Sequence, residues 1–185
     1  MTDHMTLQMY HEDRRITDPK IIMSILDRCH VATLVCHDEP YPYVVPMNFG
    51  YCWEEKPVFY LHMVRAGHRL ELLQRDPRVV LNTYEWLDRW GYQPYRGEDH
   101  DYRSINVFGT ARIITTDDEE EYLKGLSVLQ RHNSRRPPTR ITEDMKKRLL
   151  VLRVTGEIIT ARSQFPLSSP EESAIRPNIP REKKG

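Results

Sequence analysis

Apolar and polar residues alternate along several short segments of the chain, which is the pattern of half-buried β-strands. Pro42 and Pro46 fall inside one of these segments, which therefore belongs at a sheet edge or contains a bulge, because proline cannot donate a ladder hydrogen bond. Gly109 in the middle of another segment predicts a bulge or the close approach of a second backbone. The six predicted strands cover roughly 30–36, 41–51, 58–62, 78–84, 102–115 and 150–161.

Helical spacing of apolar residues separates these strands. Thr17 or Asp18 can cap the first helix, and Pro19 suits its first turn. The connections between neighbouring strands are too short for parallel crossovers. The predicted fold class is therefore mainly β (α+β), with an antiparallel sheet that closes into a small barrel and carries peripheral helices. The predicted helices cover roughly 18–28, 66–75, 117–130 and 142–148.

The remaining segments define the expected domain organisation. We expect a flexible N-terminus over 1–13, one domain over 14–162 and a C-terminal tail over 163–185. The tail is either mobile or packed on a partner subunit, since Phe165, Leu167 and Ile175 are anchors that a free tail would not need. The long loop 87–101 has no clear period, and loops of that length are more often functional than idle.

Composition narrows the class of protein. The 185 residues carry 27 Lys+Arg and 27 Asp+Glu, a balance that argues against nucleic-acid binding. No apolar run approaches the roughly 20 residues of a membrane span, so no membrane insertion is expected. The segment 1–13 has no apolar core of the kind found in secretory signals, and we therefore expect a cytoplasmic protein.

The three cysteines indicate a reducing compartment rather than a metal centre. Cys29 and Cys36 each precede a histidine, but their odd separation would place them on opposite faces of a strand. The spacing also matches no common zinc pattern. We expect free thiols, including Cys52, and no metal site.

Three segments could carry chemistry. In the stretch from Tyr60 to Arg69, a strand leads through Gly67 into a helix, and His68 or Arg69 could bind a phosphate at the helix start. A solvated basic turn is the alternative. Ser104, at the start of a strand, could add a hydroxyl to the same phosphate or could simply belong to a hydrophilic strand entrance.

The third segment is the proline-containing strand around Pro46 and Gly50. Its missing ladder donor leaves main-chain groups for a ligand, although an ordinary edge strand explains the same residues. The chain has no G-x-S-x-G elbow, P-loop, G-x-G-x-x-G or H-E-x-x-H motif, so hydrolase and nucleotide-triphosphatase functions have no support.

Taken together, these segments resemble the FMN-binding split-barrel superfamily that includes pyridoxamine 5′-phosphate oxidase, and within it the 5-nitroimidazole-resistance (Nim) branch. The similarity runs from about residue 14 to 130. Two separated strings are the most specific, Pro42-Tyr-Val-Val-Pro-Met-Asn-Phe-Gly-Tyr51 and Tyr102-Arg-Ser-Ile-Asn-Val-Phe-Gly-Thr-Ala111. The other matching stretches are Ile25–Cys29, Ala32–Leu34, Phe59–His62, Gly67–Arg69 and Leu73–Val79.

The resemblance implies a six-stranded antiparallel split barrel and a homodimer with FMN at the interface. It further implies a flavin-dependent oxidoreductase that reduces a small electron-poor substrate, such as a nitro compound, with electrons from NAD(P)H or from a reduced partner. His62 would donate a proton or contact substrate, unless it is an ordinary strand histidine. The implied cofactor-binding residues are Gly67, His68, Arg69 and Ser104 at the phosphate, and Pro46, Met47, Asn48, Tyr60, Leu61 and His62 beside the ring.

The chain departs from this pattern, and other functions stay open. Met63, Val64 and Arg65 are bulkier than the small residue that the Nim branch often has after its strand histidine, so the substrate does not follow from the resemblance. The aromatic loop with Trp86, Trp90, Tyr92 and Tyr95 would cap the site or simply pack. The alternatives are a flavin-binding module without turnover, and a relative that binds haem or the deazaflavin F420 in the same barrel.

Overall fold

The computed structural model describes Met9 and residues 11–87, 101–134 and 140–164, with the backbone alone at Leu87 and Asp101. The chain divides into two compact units. One unit comprises Met1–Cys29, Tyr84–Ile105 and Thr160–Gly185, and the other comprises His30–Thr83 and Asn106–Ile159. The single domain expected over 14–162, like its flanking segments, stays a prediction.

The elements follow the predicted order with small shifts at their ends. The helices are a 3-10 turn at Glu12–Arg14, α1 (Pro19–Leu26), α2 (His68–Arg75), α3 (Glu119–Asn133) and α4 (Glu143–Arg148). The strands are β1 (Arg15–Ile16), β2 (Val31–Cys36), β3 (Tyr43–Asn48), β4 (Gly50–Trp53), β5 (Pro57–Val64), β6 (Arg78–Leu87), β7 (Asp101–Ile114) and β8 (Leu149–Ser163).

The strands form a mainly antiparallel sheet in the order β3-β2-β6-β7-β8-β5-β4, with β1 on β8. This arrangement confirms the predicted fold class, a mainly β antiparallel split barrel with peripheral helices. Among the described strands β3 pairs with β2 alone. Pro46 therefore lies on an edge strand, as predicted from its missing donor.

The strand count differs from the prediction, with eight strands where six were expected. The segment predicted as one strand over 41–51 divides at Phe49 into β3 and β4, which pair with β2 and β5 respectively. At this division the carbonyl oxygen of Phe49 accepts a hydrogen bond from Asn133 Nδ2 at 2.7 Å. A side chain therefore satisfies a carbonyl that a continuous strand would have paired with a neighbouring strand. The short strand β1 accounts for the rest of the difference.

Helix α3 covers one side of the second unit. Its buried side chains pack against β5 and β8 because its apolar residues recur at helical spacing. Asp118 caps the helix and accepts a hydrogen bond from the Glu121 amide at 3.4 Å. The buried side chains of α3 and of the strands that it covers form one hydrophobic cluster, which consists of Val58, Tyr60, Ile114, Tyr122, Leu126, Val128 and Val151.

The first unit contains α1 and the ends of three strands. Asp18 caps α1 by accepting from the Lys20 amide at 2.8 Å, and Pro19 occupies the first turn, both as predicted. Glu85 accepts two bonds from Arg28, at 2.7 Å each, and one from the fully buried Arg103 at 3.1 Å. The apolar residues of α1 are buried, at Ile21, Ile22, Ile25 and Leu26.

Candidate functional site

Strands β3 and β5 and helix α2 bring three of the predicted site residues together in the second unit. Arg69 Nη1 lies 3.2 Å from Met47 Sδ. The positive charge of Arg69 and desolvation of the imidazole together lower the pKa of His62 on β5, desolvation being the larger cause. A cation, a thioether and an imidazole therefore share one region, although 22 residues separate Met47 from Arg69 in the chain.

The guanidinium of Arg69 has no anionic partner among the described residues. Its Nε is buried without a hydrogen bond, and Nη1 contacts only the weakly accepting sulfur of Met47. A half-buried cation without a carboxylate is costly unless another anion balances it. The structure thus has an unused set of guanidinium donors at the start of α2.

Gly67 shapes the entry into α2. Its φ of +107° and ψ of 167° lie in a region that residues with a side chain rarely adopt. No atom lies within 4 Å of the position that a Cβ would take. The backbone at the helix start is therefore open to a ligand, and the free amides of the first turn suit an anion.

His68, the first residue of α2, is engaged by an acidic side chain that the sequence did not point to. Its Nε2 lies 2.6 Å from Asp38 Oδ2, and Asp38 comes from the turn after β2. Hydrogen bonding to Asp38, with smaller contributions from its charge and from Glu71, raises the pKa of His68. Only one ring nitrogen of His68 is left for a ligand.

The exposed residues of β3 differ in how far they are engaged. Pro46 is in register with Thr33 of β2 and is exposed. The Asn48 amide donates to the His30 carbonyl oxygen at 3.0 Å and lies 3.4 Å from Asn133 Oδ1. Pro46 thus presents its side chain to solvent, Met47 between them is buried with its sulfur against Arg69, and the Asn48 side chain is held by its neighbours.

Tyr60 and Leu61 of β5 are fully buried. The Tyr60 hydroxyl donates to Glu121 Oε1 of α3 at 2.7 Å. Their side chains are packing residues, so any contact of these two residues with a ligand would use the backbone.

Ser104 lies half-buried on β7 in the first unit. Its predicted role beside the phosphate stays a prediction. Trp86 is exposed at the end of β6, whereas the other aromatic residues of the loop, Trp90, Tyr92 and Tyr95, fall outside the described residues.

All three cysteines are free thiols. Burial raises the pKa of Cys36 to about 11, and desolvation and the Glu54 charge raise the pKa of Cys52. In the described part of the chain, no three His, Cys, Asp or Glu side chains are grouped so that they could hold a metal ion. None of the described helices has the length and apolar character needed to cross a bilayer.

A family model described as pyridoxamine 5′-phosphate oxidase matches residues 18–163, which is most of the chain. The chain belongs to the pyridoxamine 5′-phosphate oxidase family. The match extends beyond residue 130, where the sequence resemblance ended, and reaches the end of β8. A comparison with curated proteins finds no match.

Solved structures agree with this family membership. A candidate 5-nitroimidazole antibiotic resistance protein from Bacteroides thetaiotaomicron is 26% identical, with a TM-score of 0.67, and the alignment covers 80% of this chain and 86% of that chain. An FAD and haem binding protein from Mycobacterium smegmatis is 19% identical, with a TM-score of 0.63 and coverage of 87% and 79%. The flavocytochrome Anf3 from Azotobacter vinelandii is 19% identical, with a TM-score of 0.60 and coverage of 94% and 80%. The last two show a shared fold.

Sequence reasoning missed Asp38 as a contributor to this region. Nothing in the segment around Asp38 marks it as functional, because acidic residues and proline are ordinary turn residues. Asp38 and His68 are 30 positions apart in the chain, and no spacing pattern in the sequence links them. The contact between Met47 and Arg69 was likewise invisible, since each residue was assigned separately from its own local motif.

Proposed function

We propose that this chain is an FMN-dependent oxidoreductase that reduces a small electron-poor substrate, with nitro compounds as the first class to test. The observation that carries the proposal is the unpaired guanidinium of Arg69 at the start of α2, beside the open backbone of Gly67. A phosphate at this place would supply the anion that the described residues do not supply. Family membership and the similarity to a protein described as binding FAD and haem support a flavin, and we propose FMN as that flavin.

The residues present fit such a cofactor. Arg69 and His68 would hold its phosphate, with Gly67 allowing close approach. Pro46, Met47 and Asn48 would flank the ring, with the backbone of Tyr60 and Leu61 behind it. When bound, FMN supplies the electron-transfer chemistry, and the protein supplies binding, orientation and electrostatics.

His62 is the side chain best suited to handle a proton. Its lowered pKa leaves the imidazole mainly neutral at neutral pH, so that one ring nitrogen can accept a proton and the other can donate one. The side chain is exposed and can reach a substrate. We therefore propose His62 as the proton donor or substrate contact.

A homodimer is part of the same proposal. Val31 and Val44 lie in paired strands at one end of the sheet and are 50% and 57% exposed. Val31 pairs with Asn48 and Val35 pairs with Val44, so the strand register places Val31 and Val44 on the same face of β2 and β3, where burial against a second copy would remove apolar surface from water. Light scattering should report a dimer in the wild type and a monomer in a Val31→Lys, Val44→Lys double variant. A monomeric wild type would contradict the dimer.

Three free thiols agree with a cytoplasmic location, which we also propose. The haem alternative is weaker, because Nε2 of His68 lies against Asp38 and only His62 would be left as an axial ligand. The F420 alternative would need a basic channel, and the one candidate cation, Arg65, donates to the Lys146 carbonyl oxygen at 3.0 Å.

The first test is a visible spectrum of the purified protein with identification of any released chromophore, followed by fluorescence titration with FMN. We expect a flavin spectrum and about 100-fold weaker FMN binding in Arg69→Glu, because a charge-assisted contact becomes a repulsion. Arg148→Glu, an exposed residue paired with Asp144, is the charge-matched control and should bind FMN as the wild type does. If Arg69→Glu and the wild type bound FMN with equal affinity, the phosphate would not bind at Arg69.

Turnover needs its own test. We expect NADH or NADPH to bleach the flavin and a nitro compound to restore its colour under anaerobic conditions. A flavin that neither nucleotide reduces would favour the alternative of a binding module without turnover or one that depends on a protein partner.

A further inference from the structure

The turn after β2 is joined to the first residue of helix α2 by an ion pair. Asp38 Oδ2 lies 2.6 Å from His68 Nε2, a short distance of the kind seen in charge-assisted bonds. The Asp38 side chain is only 17% exposed, whereas that of His68 is 54% exposed. A largely covered carboxylate therefore holds one nitrogen of a half-exposed imidazole at the proposed phosphate site.

The groups around His68 come from three elements. From the turn comes Asp38, whose other oxygen lies 3.4 Å from Arg75 Nη2. From β3 comes Tyr43, whose ring meets the imidazole edge-on at 5.9 Å. From α2 itself comes Glu71, whose carboxylate lies 3.7 Å from Nδ1 and is 75% exposed. Asp38 is thus the one group at hydrogen-bond distance from the ring.

The contact with Asp38 decides what the free ring nitrogen can do. A neutral imidazole carries one N–H, and a carboxylate at Nε2 requires the proton to be there. Nδ1 would then carry a lone pair, which repels a phosphate oxygen. Only the protonated ring donates from both nitrogens, to Asp38 and to an anion at the same time.

The electrostatics favour the protonated ring. The Asp38 bond raises the pKa of His68, and the His68 bond lowers the pKa of Asp38. Both directions stabilise the charged pair over the interval between the carboxyl and imidazole pKa values. Without Asp38 this stabilisation would be lost, and the ring would release its proton at a lower pH.

We propose that Asp38 is a positioning residue which keeps His68 as a two-donor imidazolium at the start of α2, and thereby maintains phosphate binding above the pH at which an ordinary histidine becomes neutral. The inference rests on the proposed function, since it concerns the same phosphate site. Asp38 would thereby set the upper end of the pH range of cofactor binding, a role that neither the fold nor the family membership assigns to it.

The test compares Asp38→Asn with the wild type by titration with FMN and with riboflavin, which lacks the phosphate. Asparagine keeps an acceptor for Nε2 but removes the charge. We expect FMN binding to be about tenfold weaker in Asp38→Asn than in the wild type near pH 8. Near pH 5.5 the difference should be less than about twofold, because the His68 ring is protonated in both proteins. Riboflavin binding should be the same in both proteins at both pH values. Glu71→Gln is the matched control, because it removes a nearby carboxylate charge that is not within hydrogen-bond distance of His68. Its FMN affinity should differ from that of the wild type by less than about twofold.

Two results would overturn the proposal. An equal loss of FMN affinity at both pH values would mean that Asp38 serves only the shape of the turn. Unchanged FMN affinity near pH 8 would mean that its charge has no effect on the site. Failure of the wild type to bind FMN at any pH would instead contradict the proposed function, and the inference with it.

A measurement on the wild type keeps the inference testable if Asp38→Asn does not fold. The imidazole of His68, followed by NMR, should titrate above its ordinary value of 6.5, and higher still with inorganic phosphate or FMN present. Titration at or below that value, or one that phosphate leaves unmoved, would overturn the proposal.

Discussion

The hydroxyl of Tyr60 donates a hydrogen bond to Glu121 Oε1 at 2.7 Å, and Arg153 Nε lies 2.9 Å from the same oxygen. This arrangement joins β5 to the first turn of α3 and to β8. Burial, with hydrogen bonding to Glu121, raises the pKa of Tyr60 to about 12, so the hydroxyl keeps its proton at any physiological pH. The helix is therefore anchored to the same strand that carries His62.

Replacing Tyr60 with Phe should lower the free energy of unfolding by about 1 kcal/mol, because a buried hydrogen bond is lost while Arg153 still pairs with Glu121. Urea denaturation measures this change. Tyr41→Phe, at an exposed position, is the control and should change stability by less than about 0.5 kcal/mol. A Tyr60→Phe protein as stable as the control would show that the bond contributes nothing.

Gly109→Ala should be strongly destabilising. A Cβ at this position of β7 would collide with the backbone carbonyl oxygen of Thr155 on β8, as the sequence predicted when it indicated a close backbone approach. Because two paired strands cannot separate locally, we expect a loss of about 3 kcal/mol or failure to fold. Arg112→Ala on the same strand, an exposed position, is the comparison in thermal denaturation, and similar melting temperatures for the two variants would refute the clash.

Gly67→Ala tests the backbone at the start of α2. No neighbouring atom would meet the new methyl group, so the whole effect comes from the φ of +107°. We expect the strained backbone conformation to cost about 1–3 kcal/mol in Gly67→Ala. This cost should appear as a lower free energy of unfolding and, where the backbone shifts to relieve the strain, as weaker FMN binding. Ala66→Ser, one residue earlier and exposed, should leave both unchanged. Normal melting and normal FMN affinity in Gly67→Ala would mean that the turn adapts freely.

His62→Ala should retain FMN but lose turnover by about 100-fold, the size of effect typical of a proton-transferring group. His37→Ala, an exposed histidine in the turn after β2, is the control. Because the pKa of His62 is lowered, donation by its protonated form requires turnover to rise as pH falls through a midpoint below 6.5. Full activity in His62→Ala would exclude the residue from the reaction, and a midpoint above 6.5 would assign the titration to another group.

The three thiols should react slowly with a disulfide reagent in the folded protein. Cys29 and Cys36 are buried, and the pKa of Cys36 is about 11. At about pH 8 we expect at most one accessible thiol per chain, that of Cys52, and three after denaturation. Cys52→Ser should abolish the folded-state reaction. Rapid reaction of two or more thiols in the folded protein would contradict the described packing.

The local sequence specified most of the elements. Helix α1 begins where its cap and proline predicted, and the strands lie within a few residues of their expected positions, because alternation and helical spacing are local properties of the chain. The division at Phe49 was not predictable in this way. It depends on a side-chain amide from α3, 84 residues away in sequence, which takes the place of a strand partner.

The sequence by itself determined the fold class and the family, since both follow from patterns and motifs that stay together along the chain, and it suggested the residues of the proposed phosphate site. Only the tertiary structure decided how those residues are used. Within the described part of the chain, it leaves Arg69 without an anionic partner, joins Tyr60 to α3 through a hydrogen bond and pairs His68 with Asp38. These outcomes depend on distances between segments that are remote in sequence, and hydrogen bonds and charges respond to those distances rather than to spacing along the chain.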